Sequence, residues 1–382
     1  MSKLLVSVLL ALASAPTAQG IVWIVDDDGG PGVDFTEIQP AVDAAADGDT
    51  IVVRSGFYNS VTIDGKTLVV TNGVGAVVRI SSFTVRNLGP GQVVTVRGVG
   101  VILGVLELNA GSVWLESVSL GRISPPCLGL TAKSASTLKI VSCAAVVVTR
   151  GSIYGGGEST FAHEGILGTD SSLYLFETDV FGGMPVGLGA FMGADAVHLT
   201  NTFLFASGCT FTGGCGSRAF GPCGVGGDGG AALWALTGPR PQLLDTALVG
   251  GTGNCALDFP FCGLCGLDGP PAVGGFDLLS GFARDYVLDS PGIGGQTTTL
   301  VYQGVPGDFV FSLVGLGPAP LYLPALAGTL VLPIPPLVIP HGAVDASGAL
   351  VLSVPLPLRP PGVGAVTIYA QAAAVSPVGA AV

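Results

Sequence analysis

Positive charge is scarce in this chain. Its 382 residues carry 14 Lys and Arg against 26 Asp and Glu, a formal net charge of −12. Phosphate binding needs clustered Lys and Arg, so nucleic acid is excluded as an expected partner, while cations, basic surfaces and neutral glycans remain open. Charged residues of either sign make up only 10%, against 49% hydrophobic residues. That balance excludes a disordered polar chain. Histidine is nearly absent, with three in all, which limits imidazole chemistry to few places. What the chain has in plenty is Gly (61) and Pro (27). Both interrupt helices, so many short strands joined by turns are expected.

The N-terminus reads as an export signal over residues 1–20. Lys3 is followed by the apolar run Leu4 to Ala13 and then by small residues, with Ala18-Gln19-Gly20 as the cleavage site. The run is too short to span a membrane. A second uncharged stretch, Leu321 to Pro340, has spanning length. Pro324, Pro333, Pro335, Pro336 and Pro340 interrupt it, which rules out a continuous helix. No transmembrane segment is expected in the mature chain.

Export places the eight cysteines in an oxidising compartment, where an even count reads as disulfides. Cys209, Cys215, Cys223, Cys255, Cys262 and Cys265 cluster in one region, and Cys127 and Cys143 are expected to pair separately. Cys262 and Cys265 have redox or zinc spacing, but no histidine lies near them, so a structural bridge is the reading. Connectivity stays open.

Asp34 to Ala45 predicts a short helix. Thr36 and Gln39 offer a capping box, Ile38, Val42 and Ala45 give one apolar face, and Gly48 ends it. Strands Thr50–Val53, Val61–Ile63 and Leu68–Val70 follow between turns, and three strands in so short a stretch predict one coil of a three-sided solenoid. Phe35 to Gln39, Ala41 to Ala45, Gly48-Asp49-Thr50-Ile51-Val52-Val53, Gly56-Phe57-Tyr58 and Val61-Thr62-Ile63 resemble the opening of pectin-lyase-like right-handed β-helix proteins. That resemblance implies a capping helix followed by stacked parallel sheets, and leaves activity open.

Later runs end in double glycines, at Gly155-Gly156, Gly182-Gly183, Gly213-Gly214 and Gly250-Gly251. They suit bends where backbones approach closely or take positive φ. Asp285 to Gly294 resembles a segment that closes such helices. The expected organisation is a β-helix over 21–294 and a C-terminal β-sandwich-like domain over 295–382, the fold class being all-β. From Thr297 onward only Asp308, Asp345 and Arg359 are charged.

Chemistry is thin. The acid, base and calcium-binding motifs of polygalacturonase-like and pectate-lyase-like enzymes are absent as sets. The candidate catalytic cluster is His163, Glu164, Asp195 and His198, with the two carboxylates about one coil apart and able to stack at roughly 4.8 Å. Asp26, Asp27 and Asp28 are candidate calcium ligands without the spacing of an EF-hand; otherwise no cofactor is expected. Trp23, Trp114 and Trp234 are too scattered for a sugar-stacking platform. The sequence therefore points to a secreted or cell-surface protein, non-catalytic, that binds glycan or protein, serves a structural role or self-associates. The alternative is a divergent polysaccharide lyase or glycoside hydrolase.

Overall fold

The computed structural model describes residues 20–121, 136–158, 160–185, 187, 190–217, 225–254, 265–288, 294–315, 319–323, 328–332, 335–356, 358 and 367–376. The export segment before Gly20, Cys127, Cys223, Cys255, Cys262 and residues 290–293 lie outside them. The chain divides into two compact units, one formed by Ile24–Ala44 and Ile51–Leu279, the other containing Ser280–Val382.

The first unit is a right-handed parallel β-helix with three faces. Face A stacks Val61–Asp64, Phe83–Arg86, residues 104–107 and 138–141, Ile166–Thr169, Val197–Thr200, Leu233–Thr237 and Ala272–Gly274. Face B carries Asp49–Val53, Leu68–Asn72, Val93–Arg97, residues 112–116 and 146–149, Ser172–Phe176, Phe203–Ser207, Gln242–Leu244 and Asp277–Leu279. Face C is an eight-stranded sheet running from Gly56–Tyr58 to Ala247–Val249. The long strands Gly104–Glu116 and Leu138–Thr149 bend from A into B, which joins those faces in one sheet. Every strand sends alternate side chains inward, and Ile63, Val85, Leu106, Ile140 and Leu199 line the core under face A.

The sequence places the first coil slightly late. Gly56–Tyr58, which lies between the expected strands, is the first strand of face C, so the coil closes with Val61–Asp64 and Leu68–Asn72 begins the next. The helix Ile38–Ala44 buries Ile38 and Val42 as expected, together with Ala41, and Ala45 just beyond it is buried too. Its capping box does not form. Gln39 instead exchanges hydrogen bonds with strand backbone, its Oε1 accepting from Thr62 N at 2.7 Å and its Nε2 donating to Thr62 O at 3.2 Å.

Two corners are built alike. At the corner from A to B, Asn87, Leu108, Ser142, Asp170 and Asn201 all have φ between 47° and 57°. At the corner from B to C, Ser117, Arg150, Glu177 and Asp245 do the same, between 46° and 51°. One left-handed residue turns the chain sharply, and the residue after it points into the coil. At the first corner those following residues include Asn109, Cys143, Ser171 and Thr202, which bond from coil to coil. Asn109 Nδ2 donates to Cys143 Sγ at 3.5 Å, Cys143 N to Ser171 Oγ at 3.0 Å, and Ser171 N to Thr202 Oγ1 at 3.3 Å. Thr178, Cys209 and Thr246 hold the matching place at the second corner, each bonding the carbonyl two residues back.

This ladder corrects the disulfide expectation for two cysteines. Cys143 and Cys209 are buried free thiols, occupying positions where neighbouring coils carry Asn, Ser or Thr. Burial pushes both thiols up, Cys209 to about 12. Cys215 and Cys265 are disulfide-bonded.

The passages from face C to face A lengthen along the chain. Val61 stacks on Phe83 and Phe83 on Gly104, whereas Val197 stacks on Leu233 and Leu233 on Ala272. The added residues form a second architecture, a two-layered wall of outgoing and returning segments. One chain of hydrogen bonds zigzags between the layers: His163 N to Gly156 O, Gly183 N to His163 O, Ala194 N to Gly183 O, Gly214 N to Ala194 O, Gly230 N to Gly214 O, Gly251 N to Gly230 O and Gly269 N to Gly251 O, at 2.7–3.0 Å. A second zigzag joins Phe191, Ser217, Gly227, Asn254 and Gly266. Within each segment its members fall three residues from those of the first, as 191 and 194 or 227 and 230. That is the period of a polyproline II helix, which has no hydrogen bonds of its own and must find them next door.

Glycine is required by distance. A Cβ on Gly183 would lie 1.8 Å from Gly156 O, and one on Gly214 would lie 1.9 Å from Gly183 O. The double glycines thus serve close approach, as expected, and none of the four pairs has positive φ.

The C-terminal unit is antiparallel. Asp285–Leu288, Thr297–Gln303 and Ala349–Pro355 form one sheet, and Leu337–Ala343, Phe309–Gly315 and Tyr369–Val375 another. Tyr302, Val310, Val344 and Ala374 make its core. Asp308, fully buried, pairs with Arg284 at 2.7 Å. Tyr286, Ser312 and His341 link three strands, with Ser312 Oγ 2.7 Å from Tyr286 Oη and 2.6 Å from His341 Nε2. In and around the second uncharged stretch Leu321–Leu323, Gly328–Leu330 and Leu337–Ala343 are strands, and no described helix is long and apolar enough to cross a membrane.

Candidate functional site

Outward side chains on face A form rows across the coils. One row reads Val105, Lys139, Leu167, His198, Trp234 and Val273, each paired with the next in register. On face B the central outward row, Thr95, Trp114, Val147, Tyr174 and Phe205, is at most 8% exposed.

The site gathers where the returning wall segments enter face A. Gly165 N donates to Asp195 O and Ile166 N to Ala196 O, which sets Glu164 beside Asp195 on adjacent coils. The two residues are thus in register on adjacent coils, Glu164 bonded to the preceding coil and Asp195 to the following one. Asp195 Oδ2 lies 2.9 Å from His198 Nδ1, and its Oδ1 accepts from Ala231 N at 2.9 Å. Glu164 Oε2 accepts from Ser136 Oγ at 2.6 Å. The hydrogen bond to Asp195 raises the His198 pKa above its ordinary value; burial opposes this, and the charges of Asp195 and Glu164 add to it. With Nδ1 held by a carboxylate, the imidazole is fixed in orientation and favoured as a cation.

Trp234 completes the arrangement. Its ring stacks on His198, centroids 5.7 Å apart and planes at 9°. Sequence reading set Trp234 aside as isolated, because the register that brings it beside His198 depends on how long the intervening excursion is. His163 is not drawn in. Its backbone belongs to the wall, and its Nε2 is buried with no hydrogen-bond partner.

Asp26, Asp27 and Asp28 do converge, with one oxygen from each within 4.8 Å of the others. Two of them already have partners. Asp26 pairs with Arg54 at 3.1 Å, and Asp27 Oδ2 accepts from Phe57 N at 2.9 Å. Trp23 donates to Asp49 at 3.0 Å, away from any sugar-stacking role.

No protein-family model and no curated protein matches the chain. Among solved structures, pectate lyase Pel9A is similar at 10% identity with a TM-score of 0.29, over 62% of this chain and 80% of that one.

Proposed function

We propose that this is a secreted, non-catalytic β-helix protein that binds an extracellular glycan across face A, with Trp234 and His198 as its anchors. The observation that carries the reading is the stacked pair itself: an aromatic surface beside an oriented imidazole, half-open to solvent on a flat parallel sheet. Aromatic faces suit sugar rings, and a fixed ring nitrogen suits a hydroxyl or carboxylate. The row from Lys139 to Val273 gives an extended ligand a path across successive coils.

Two features support binding over turnover. A glycosidase needs one carboxyl group as acid and another free to attack or to activate water. Here Glu164 and Asp195 both accept hydrogen bonds from their own chain. The imidazole nearest them is itself tied at Nδ1 to Asp195, so ring and carboxylate are engaged with each other. For the C-terminal unit we infer attachment to a partner or to the cell envelope; exposed Val338, Val351 and Leu358 support it.

The test incubates the full chain with plant, algal and bacterial polysaccharides and follows retention in affinity gels together with new reducing ends and unsaturated products. Retention that Trp234→Ala abolishes, without products, is the expected result. Products lost in the Glu164→Gln and Asp195→Asn variants would replace this reading with the lyase or hydrolase alternative.

A further inference from the structure

The corner from face A to face B holds an open groove of about 590 Å³. It runs along the solenoid axis, lined from five successive coils. Ala110, Ala144 and Ser172 form its floor, Phe203 and Pro239 close one end, and the left-handed residues Ser142, Asp170 and Asn201 form a polar lip. Asn201 Nδ2 donates to Asp170 Oδ1 at 2.7 Å, tying the lip across adjacent coils.

From these residues we infer a second binding site, for a neutral oligosaccharide of about three rings. Three coil spacings of roughly 4.8 Å give about 14 Å of length. Small side chains leave room for rings to lie flat, Phe203 and Pro239 meet the apolar C–H surface of a sugar, and the lip offers hydroxyl, amide and carboxylate partners. An extended peptide fits the corner poorly. The Cys143 and Ser171 amides there are already used in coil-to-coil bonds to Ser171 Oγ and Thr202 Oγ1, which takes them from any added strand. Asp170 is the one charged residue lining the groove, which disfavours uronates by like-charge repulsion. The inference does not depend on the face A site.

The test titrates the folded full chain with xylotriose, cellotriose, mannotriose and laminaritriose in turn, and with trigalacturonate, by calorimetry and saturation-transfer NMR. Ala110 and Ala144 are exposed, so Ala110→Trp and Ala144→Trp fill the groove with no core to disturb. At least one neutral trimer is expected to bind, tenfold or more weakly in either Trp variant, unchanged in Trp234→Ala, and at least tenfold more tightly than trigalacturonate. Failure of all four neutral trimers to bind, or binding that survives both Trp variants, overturns the site. Loss in Trp234→Ala would assign the binding to face A, and equal affinity for trigalacturonate would overturn the neutral class.

Discussion

The indole of Trp234 lies over the imidazole of His198 from the next coil, 5.7 Å between centroids and 9° from parallel. Neither residue is adjacent to the other in sequence, and the register of Val197–Thr200 with Leu233–Thr237 alone brings them together. If this pair anchors glycan, Trp234→Ala weakens binding about tenfold or more, equivalent to ~1.4 kcal/mol, while Trp234→Phe keeps most of the affinity. Affinity electrophoresis against the retained polysaccharide measures both. Equal retention of the Ala variant would remove the pair from the site.

His198 titrates above its ordinary pKa because Asp195 holds its Nδ1. Its contribution to stability is therefore complete below about pH 6.5, the unperturbed value, and disappears as pH rises through the folded pKa. Asp195→Asn lowers the His198 pKa and flattens that part of the stability–pH curve. NMR titration of the ring proton gives the pKa, and urea melts at several pH values give the curve.

Gly214→Ala places a methyl 1.9 Å from the carbonyl oxygen of Gly183. Backbone on both sides leaves nothing flexible to yield, so a loss of about 3 kcal/mol or more is expected. Gly75→Ala, at a turn with φ of 70° and open space around it, costs about 1–2 kcal/mol. Equal melting temperatures for the two variants would refute the close-packed wall.

Cys143 and Cys209 are shielded thiols whose pKa burial raises. Neither reacts with a thiol reagent at pH 8 until the protein unfolds, and Cys209→Thr, which reproduces Thr178 one coil earlier, folds with under about 1.5 kcal/mol of loss. Mass spectrometry after brief alkylation, native and denatured, reads the first expectation.

The carboxylates of Asp26 and Asp27 are engaged by Arg54 and the Phe57 amide. Addition of a calcium chelator is expected to move the melting temperature by less than ~1 °C, since a ligand that contributes no binding energy adds no linkage term. A drop of several degrees, restored by calcium, would make the turn a cation site.

Much of the solenoid was legible because its rules are local. The helix Ile38–Ala44, the strand Asp49–Val53 and the placing of Glu164 beside Asp195 follow from periodicity and from recurrence at one coil. Cys143 and Cys209 misled because a cysteine in a ladder of Asn, Ser and Thr looks in sequence like any other cysteine. The signal was there: each follows a residue that turns the corner, Ser142 or Gly208, as Ser171 follows Asp170 and Thr178 follows Glu177. The wall was half legible. Glycines three apart, as at 213 and 216, 227 and 230, 250 and 253, or 266 and 269, carry its period, but double glycines draw the eye to turns. Trp234 could not be placed, since its neighbour depends on excursion length.

Each zigzag of the wall takes one carbonyl and one amide from every segment it crosses. A whole added coil would contribute one outgoing and one returning segment and leave the bonds of its neighbours intact, as in other solenoids whose units touch only the next. One residue added inside an excursion would instead throw the rest of that segment out of its threefold phase. Such a chain can change its length over generations by duplicating or losing entire coils, while insertions between the bonded positions of one wall segment are closed to it.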